Sequence, residues 1–302
     1  MKGAHWPTSA ALLIAGGALA ALGLLFSPGM LGGRLAGGAL FPLSLVVGAI
    51  GGVLLLLAMA TIVVVPRGRA ATAFRGYGSH STILGLTLLA GVGSLGLVLP
   101  ALIPTAAAGR SPLALGFMLI LSTVVLDAVL IGVVYFRVVR PGVITWGDMG
   151  FSPRALPTTW RAGPVAALGL FLGVATIEVL LNKLGVQQTQ LQSLQWLREV
   201  PLWLFALVAL TAAVLAPVAE EIYFRGYVFR AYYEQKGPPQ AYLFSAALFA
   251  LVHLNLPAFL PIFAVGLFLA YVYRRTGSIL PGMLAHAFNN TLAFAFLYFA
   301  AS

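Results

Sequence analysis

Apolar runs of about 18 residues or more recur along most of the chain, and no other feature narrows its fold so far. Nine can be marked, approximately 9–26, 40–65, 82–103, 113–138, 164–181, 202–232, 240–253, 258–273 and 279–301. A helix needs roughly 20 apolar residues to cross about 30 Å of hydrocarbon. A membrane β-barrel would instead show short segments of alternating hydrophobicity. Charge tells the same story. Only 8% of the 302 residues are charged, against about 25% in soluble domains. So few charges cannot cover a water-facing globule of this length, which excludes a soluble enzyme. A disordered chain is excluded by the 61% hydrophobic content, and a disulfide scaffold by the absence of cysteine. The expectation is an all-α, polytopic membrane bundle of about eight or nine transmembrane helices.

The net charge of +10 does not mark a nucleic-acid binder. Its basic residues sit in short clusters between apolar runs and form no stripe with interleaved aromatics. Counted over nine spans with a cytoplasmic N-terminus, twelve basic residues fall in inside segments, from Lys2 through Arg274 and Arg275. Four, Arg34, Arg110, Lys183 and Arg198, fall outside. That is the positive-inside pattern, and it orients the bundle. The first run lacks a clear cleavage site and reads as a retained anchor. The glutamine-rich stretch 182–201 reads as an interfacial helix.

Several polar features carry little. Residues 91–96 spell a dinucleotide-binding GxGxxG pattern, but inside an apolar run with no preceding strand. Close packing of membrane helices explains those glycines better. His5 and His80 read as solvated. Asp127 and Glu178 lie inside apolar runs without a local partner and have no assigned role.

The last third of the chain differs. Glu220, Glu221 and Arg225 share one apolar helix, where charges are too costly to be filler. Glu221 and Arg225, four apart, can pair on one face. Glu220 is turned about 100° away and lacks its own cation, which suits it to general acid–base work. Phe249 and His253 end the seventh run, and His286 and Asn290 share a face of the ninth. Counted from the helix ends taken as cytoplasmic, Glu220, His253, His286 and Asn290 lie about 11 to 20 Å deep, so they can meet at one level.

These motifs are Glu220-Glu221-x-x-x-Arg225, Phe249-x-x-x-His253 and His286-x-x-x-Asn290 on successive membrane helices. Together they resemble the CPBP family of intramembrane proteases, which holds the type II CAAX prenyl endopeptidases and bacteriocin-processing or self-immunity homologues. All three motifs match, within about residues 202–301. The resemblance implies a glutamate-dependent endopeptidase acting on a membrane-associated peptide or protein, of which a prenylated CAAX-type C-terminus is one form. Carried onto this chain, Glu220 with His253 activates the attacking water, and His286 and Asn290 hold the oxyanion. Glu221, Arg225 and Phe249 keep the site in shape. It also suggests a division into N-terminal helices of unknown role (1–139) and a protease core (140–302).

The preferred mechanism uses no cofactor. The alternative is zinc or another divalent metal on Glu220, His253 and His286, although the zincin pattern HExxH is absent. Competing functions are a catalytically idle scaffold or self-immunity protein, and a proton-coupled transporter. The expected partners are the lipid bilayer, in a bacterial plasma membrane, and the peptide substrate, with no nucleic acid.

Overall fold

The computed structural model describes residues 77–87, 111–183, 185, 192–253, 255 and 258–299. The expected runs 9–26 and 40–65, most of 82–103 and the glycine pattern 91–96 lie outside these residues. Every regular element among the described residues is helical. Four helices are long and apolar enough to cross a bilayer by length and composition. They are α1 (Pro112–Val139), α2 (Pro153–Lys183), α3 (Leu202–Lys236) and α5 (Phe259–Thr276). Between α3 and α5 runs the shorter apolar helix α4 (Pro238–Val252), and α6 (Leu280–Phe299) closes the bundle. The protein is a helical membrane bundle.

Local chemistry sets the ends of these helices. Ser111 accepts from the Ala114 amide at 3.3 Å, and Pro112 occupies the first turn of α1, where a missing N–H costs nothing. Gly237 (φ 86°) separates α3 from α4, and Gly277 (φ 68°) caps α5 in the left-handed conformation that glycine adopts freely. The α2 helix begins well before the expected boundary at 164, because Pro164 lies inside it. The glutamine-rich stretch is in part helical as expected, as a 3₁₀ helix over Gln192–Glu199. It is tied to α6 by Arg198 Nε, which donates to the Leu297 carbonyl at 2.6 Å.

Helix α3 is the central element, packing against α1, α4, α5 and α6. Tyr223, Phe224, Tyr227 and Val228 are wholly buried along it. Residues 77–87 dock on the same helix through polar ends of its aromatics. Tyr227 donates to the Tyr77 carbonyl at 2.8 Å, the Tyr223 and Thr87 hydroxyls bond at 2.8 Å, and His80 Nδ1 bonds the Tyr232 hydroxyl. His80 is solvent-exposed, as expected, but not unengaged. By contrast α2 turns Val165, Leu168 and Leu172 outward, each more than half exposed. Large apolar side chains at this helical spacing suit lipid, where exposure of such a face has no hydrophobic cost.

The 140–152 connection is strapped across the bundle. Ser278 Oγ donates to the Gly150 carbonyl at 2.8 Å, and the Ile279 amide to the Met149 carbonyl at 3.2 Å. Arg230 donates to the Asp148 carbonyl. A Cβ on Gly150 would lie 2.3 Å from Ser278 Cα, so only glycine permits this approach.

Candidate active site

Proline chemistry shapes the helix that carries the carboxylates. Residues Thr211–Leu215 and Glu221–Phe229 follow the wider π register, in which an amide bonds the carbonyl five residues back. Ala216 bonds Thr211 in this way. The next amide would reach Ala212, but residue 217 is proline and has no N–H. The Ala212 carbonyl instead accepts from Asn290 Nδ2 on α6 at 3.3 Å. One hydrogen of the Asn290 amide is thereby committed and the second remains for another acceptor. Asn289 Nδ2 approaches Asn290 Oδ1 at 3.5 Å.

Glu221 and Arg225 have no exposed surface and pair at 2.8 Å, as their spacing suggests. Two further features hold the guanidinium. It donates to the Gly266 carbonyl at 3.1 Å and lies over the Phe249 ring at 4.6 Å. Phe249 itself rests edge-on against Phe224. Gly266 allows this because a Cβ there would meet Ala246 Cα of α4 at 2.9 Å. Gly282 plays the matching part on α6, where a Cβ would sit 3.0 Å from Glu221 Oε2. Ser245 Oγ donates to the Phe224 carbonyl and so links α4 to the widened part of α3. Sequence reasoning passed over Gly266, Gly282 and Ser245. Their only signal was small size inside an apolar helix, which many packing positions share.

His286 lies between the two carboxylates. Its Nε2 is 3.7 Å from Glu220 Oε2 and its Nδ1 is 3.4 Å from Glu221 Oε1. Its ring also stands 5.7 Å from that of Phe249. His253 reaches the group indirectly. Its ring packs on Phe249 at 4.9 Å, and its Nδ1 bonds the Phe249 carbonyl at 2.7 Å. A carbonyl only accepts, so Nδ1 carries the proton and Nε2 is left as the basic nitrogen. Glu220, Glu221, Arg225 and His286 are thus in direct contact, Phe249 joins His253 to them, and Asn290 braces α3. No ion pair joins His253 to Glu220 among the described residues.

The same arrangement bears on a metal. Among the described residues, no group of three or more His, Asp or Glu side chains is disposed to hold a metal ion. His253 is held by Phe249, and His286 is shared between Glu220 and Glu221 at distances longer than a short hydrogen bond. Glu220, His253 and His286, the alternative ligand set, are thus not gathered as a three-residue group among the described residues.

Asp127 of α1 is also buried, at 8% exposure, whereas Glu178 of α2 is half-buried. Helix α1, which carries Asp127, packs along the Ala216–Glu220 segment of α3.

Comparison with known proteins points to the segment built around this cluster. Residues 201–292 match the family model described as "Type II CAAX prenyl endopeptidase Rce1-like". A curated relative, "Putative membrane peptidase YdiL" of Bacillus subtilis (strain 168), is 35% identical over 85 residues. That match covers 28% of this chain and 35% of the relative, so the chain spans about a third of the relative it matches. No solved structure matches the chain with significance. The matched segment contains α3, α4, α5 and the part of α6 that bears His286 and Asn290, so the similarity to the Rce1-like, type II CAAX prenyl endopeptidase family lies in the helices that build this cluster.

Proposed function

We propose that the protein is an intramembrane endopeptidase that hydrolyses a peptide bond of a membrane-associated peptide or protein, with Glu220 as its base. The observation that carries this reading is the unequal treatment of two adjacent buried carboxylates. Glu221 is consumed by Arg225 at 2.8 Å, while the ion-pair partner of Glu220 among the described residues is the imidazole of His286 at 3.7 Å. A carboxylate kept from a permanent cation in an apolar core is free to exchange a proton.

In this mechanism water binds between Glu220 and the basic Nε2 of His253. As the water oxygen bonds to the substrate carbonyl carbon, its proton passes to Glu220. The negative charge formed on the carbonyl oxygen is stabilised by hydrogen-bond donors, at the step where such donors contribute most. These are an imidazole N–H of His286 and the second amide hydrogen of Asn290. The C–N bond then breaks, and the leaving nitrogen takes the proton from Glu220. Glu221, Arg225 and Phe249 hold α3, α4 and α5 in register throughout. No step requires a metal.

The substrate class follows from location. A bond cut at this site must reach the apolar interior, so the substrate is itself membrane-associated. A lipid-modified C-terminus of the CAAX type belongs to that class, as does a peptide processed at a bacterial plasma membrane.

The test is hydrolysis of a peptide library by the purified full chain in detergent, beside Glu220→Gln and His253→Ala. Cleavage by wild type that falls at least about a hundredfold in Glu220→Gln is expected. Cleavage that survives Glu220→Gln refutes the mechanism, and a wild type inactive on every peptide favours the scaffold reading. Full activity in chelator, together with elemental analysis of the purified protein, decides the metal question.

A further inference from the structure

Pro217 stands three residues before Glu220 and takes no part in the chemistry, yet it decides where one hydrogen bond of the site goes. In the widened turn of α3 the Ala216 amide bonds the Thr211 carbonyl, so the Ala212 carbonyl is next in line for a backbone donor. Position 217 has none to give. A carbonyl without a donor is costly inside a membrane, where bulk water cannot replace it. Asn290 Nδ2 fills the gap from α6 at 3.3 Å.

That bond also fixes which way round the Asn290 amide lies. A carbonyl only accepts, so the amide nitrogen must face Ala212, since oxygen there would set two acceptors against each other. The oxygen end has a donor near it, Asn289 Nδ2 at 3.5 Å. Helix α6 packs along both the Thr211–Leu215 and the Ala216–Glu220 segments of α3. It runs antiparallel to them, because His286 meets Glu220 while Asn290, one turn later, meets Ala212, eight residues earlier. The two groups read as oxyanion donors are therefore both tied to α3, His286 by a carboxylate and Asn290 by a backbone carbonyl.

We infer that Pro217 is a positioning residue of the active site, whose missing N–H keeps the Ala212 carbonyl open to hold the Asn290 amide with one hydrogen free for the oxyanion. This rests on the protease reading of the site. Pro217 touches no reacting atom and acts only through Ala212 and Asn290. An ordinary residue at 217 would supply an amide, satisfy Ala212 within α3 and release the Asn290 side chain to rotate.

The experiment is a double-mutant cycle on the full chain in detergent: wild type, Pro217→Ala, Asn290→Ala and the double variant. It reads kcat, KM and thermal midpoint. Removing one oxyanion donor costs about 100- to 1,000-fold in kcat, and Asn290→Ala should fall in that range. Pro217→Ala misorients the donor without deleting it, and should lose about 10- to 100-fold in kcat at little-changed KM. In the Asn290→Ala background the same change should cost less than about twofold, since nothing is left for it to act through. In a fifth protein lactic acid replaces Pro217, giving an ester link that lacks both the ring and the N–H. It should recover most of the rate lost with alanine, which separates the missing donor from the lost ring. Midpoints give a readout that needs no substrate. Asn290→Ala orphans the Ala212 carbonyl when residue 217 is proline but not when it is alanine, so its midpoint drop should be clearly smaller in the Pro217→Ala background. Wild-type kcat in Pro217→Ala overturns the inference, as do additive losses, an ester as slow as alanine, or equal midpoint drops. Failure of the protease reading looks different: wild type then cleaves nothing, or Glu220→Gln still cleaves. The midpoints still decide whether Ala212 holds Asn290 in that case.

Discussion

Replacing Arg225 by methionine tests how the site is held together. The substitution keeps chain length and apolar bulk, so the cavity left behind is small. What it removes is the cation that Glu221 meets at 2.8 Å, the donor to the Gly266 carbonyl and the charge above the Phe249 ring. Glu221 has no exposed surface and cannot turn to water. Breaking a buried pair from one side costs about 3–5 kcal/mol, because the remaining charge is uncompensated. The lower end applies here, since His286 lies 3.4 Å from Glu221 and can share the burden. At about 2 °C per kcal/mol for a chain of this length, the midpoint should fall by about 6 °C. Removing both charges in Glu221→Gln/Arg225→Met should recover most of that loss, because no buried charge is left behind. A double-mutant cycle should then give a coupling of about 2–3 kcal/mol. Thermal unfolding of the four proteins in one detergent, at one scan rate, followed by tryptophan fluorescence, provides the measurement. If the single variant is as stable as wild type, or the double variant is no better than the single, the ion pair is not what holds α3 to its neighbours.

Two further outcomes follow from the same geometry. Gly266→Ala places a Cβ 2.9 Å from Ala246 Cα and 3.0 Å from its Cβ, so α4 and α5 must separate. It should destabilise by about 1–3 kcal/mol in the same thermal assay, whereas Gly173→Ala, with nothing within 4 Å, should hold or raise the midpoint. In the 140–152 strap, the Thr145 amide and hydroxyl each donate to Asp148 at 2.7 Å and hold its carboxyl below the ordinary range. A carboxyl lowered on folding adds stability at neutral pH and loses it as pH falls through its folded value. Wild type should therefore exceed Asp148→Asn by a small margin at neutral pH, and the gap should close in acid, since the site is exposed and well screened. A gap that grows in acid would contradict this sign.

Much of this protein was legible in the sequence, because a membrane restricts the alternatives. Long apolar runs with few charges leave little but helices, since no water is present to satisfy a bare backbone. The Glu221–Arg225 pair was legible for a similar reason, as contacts four residues apart on one helix are set by local geometry. The three short motifs sufficed to place Glu220, His253, His286 and Asn290 on neighbouring helices and to suggest the family. What spacing along a helix does not fix is how that helix is turned toward its neighbours. His286, expected to be an oxyanion donor, lies between both carboxylates. Asn290 answers a carbonyl that Pro217 leaves unpaired 78 residues earlier in the chain. His253 takes its orientation from Phe249, one turn before it. Asp127 had no partner in its own run, and only the fold shows that its helix packs along the part of α3 that bears Glu220. The sequence by itself determined the class of fold, the charged residues able to carry chemistry and the one ion pair made within a helix. Tertiary structure decided what surrounds that pair and that Glu220 is left beside an imidazole, because that depends on side chains from α4, α5 and α6 meeting around α3.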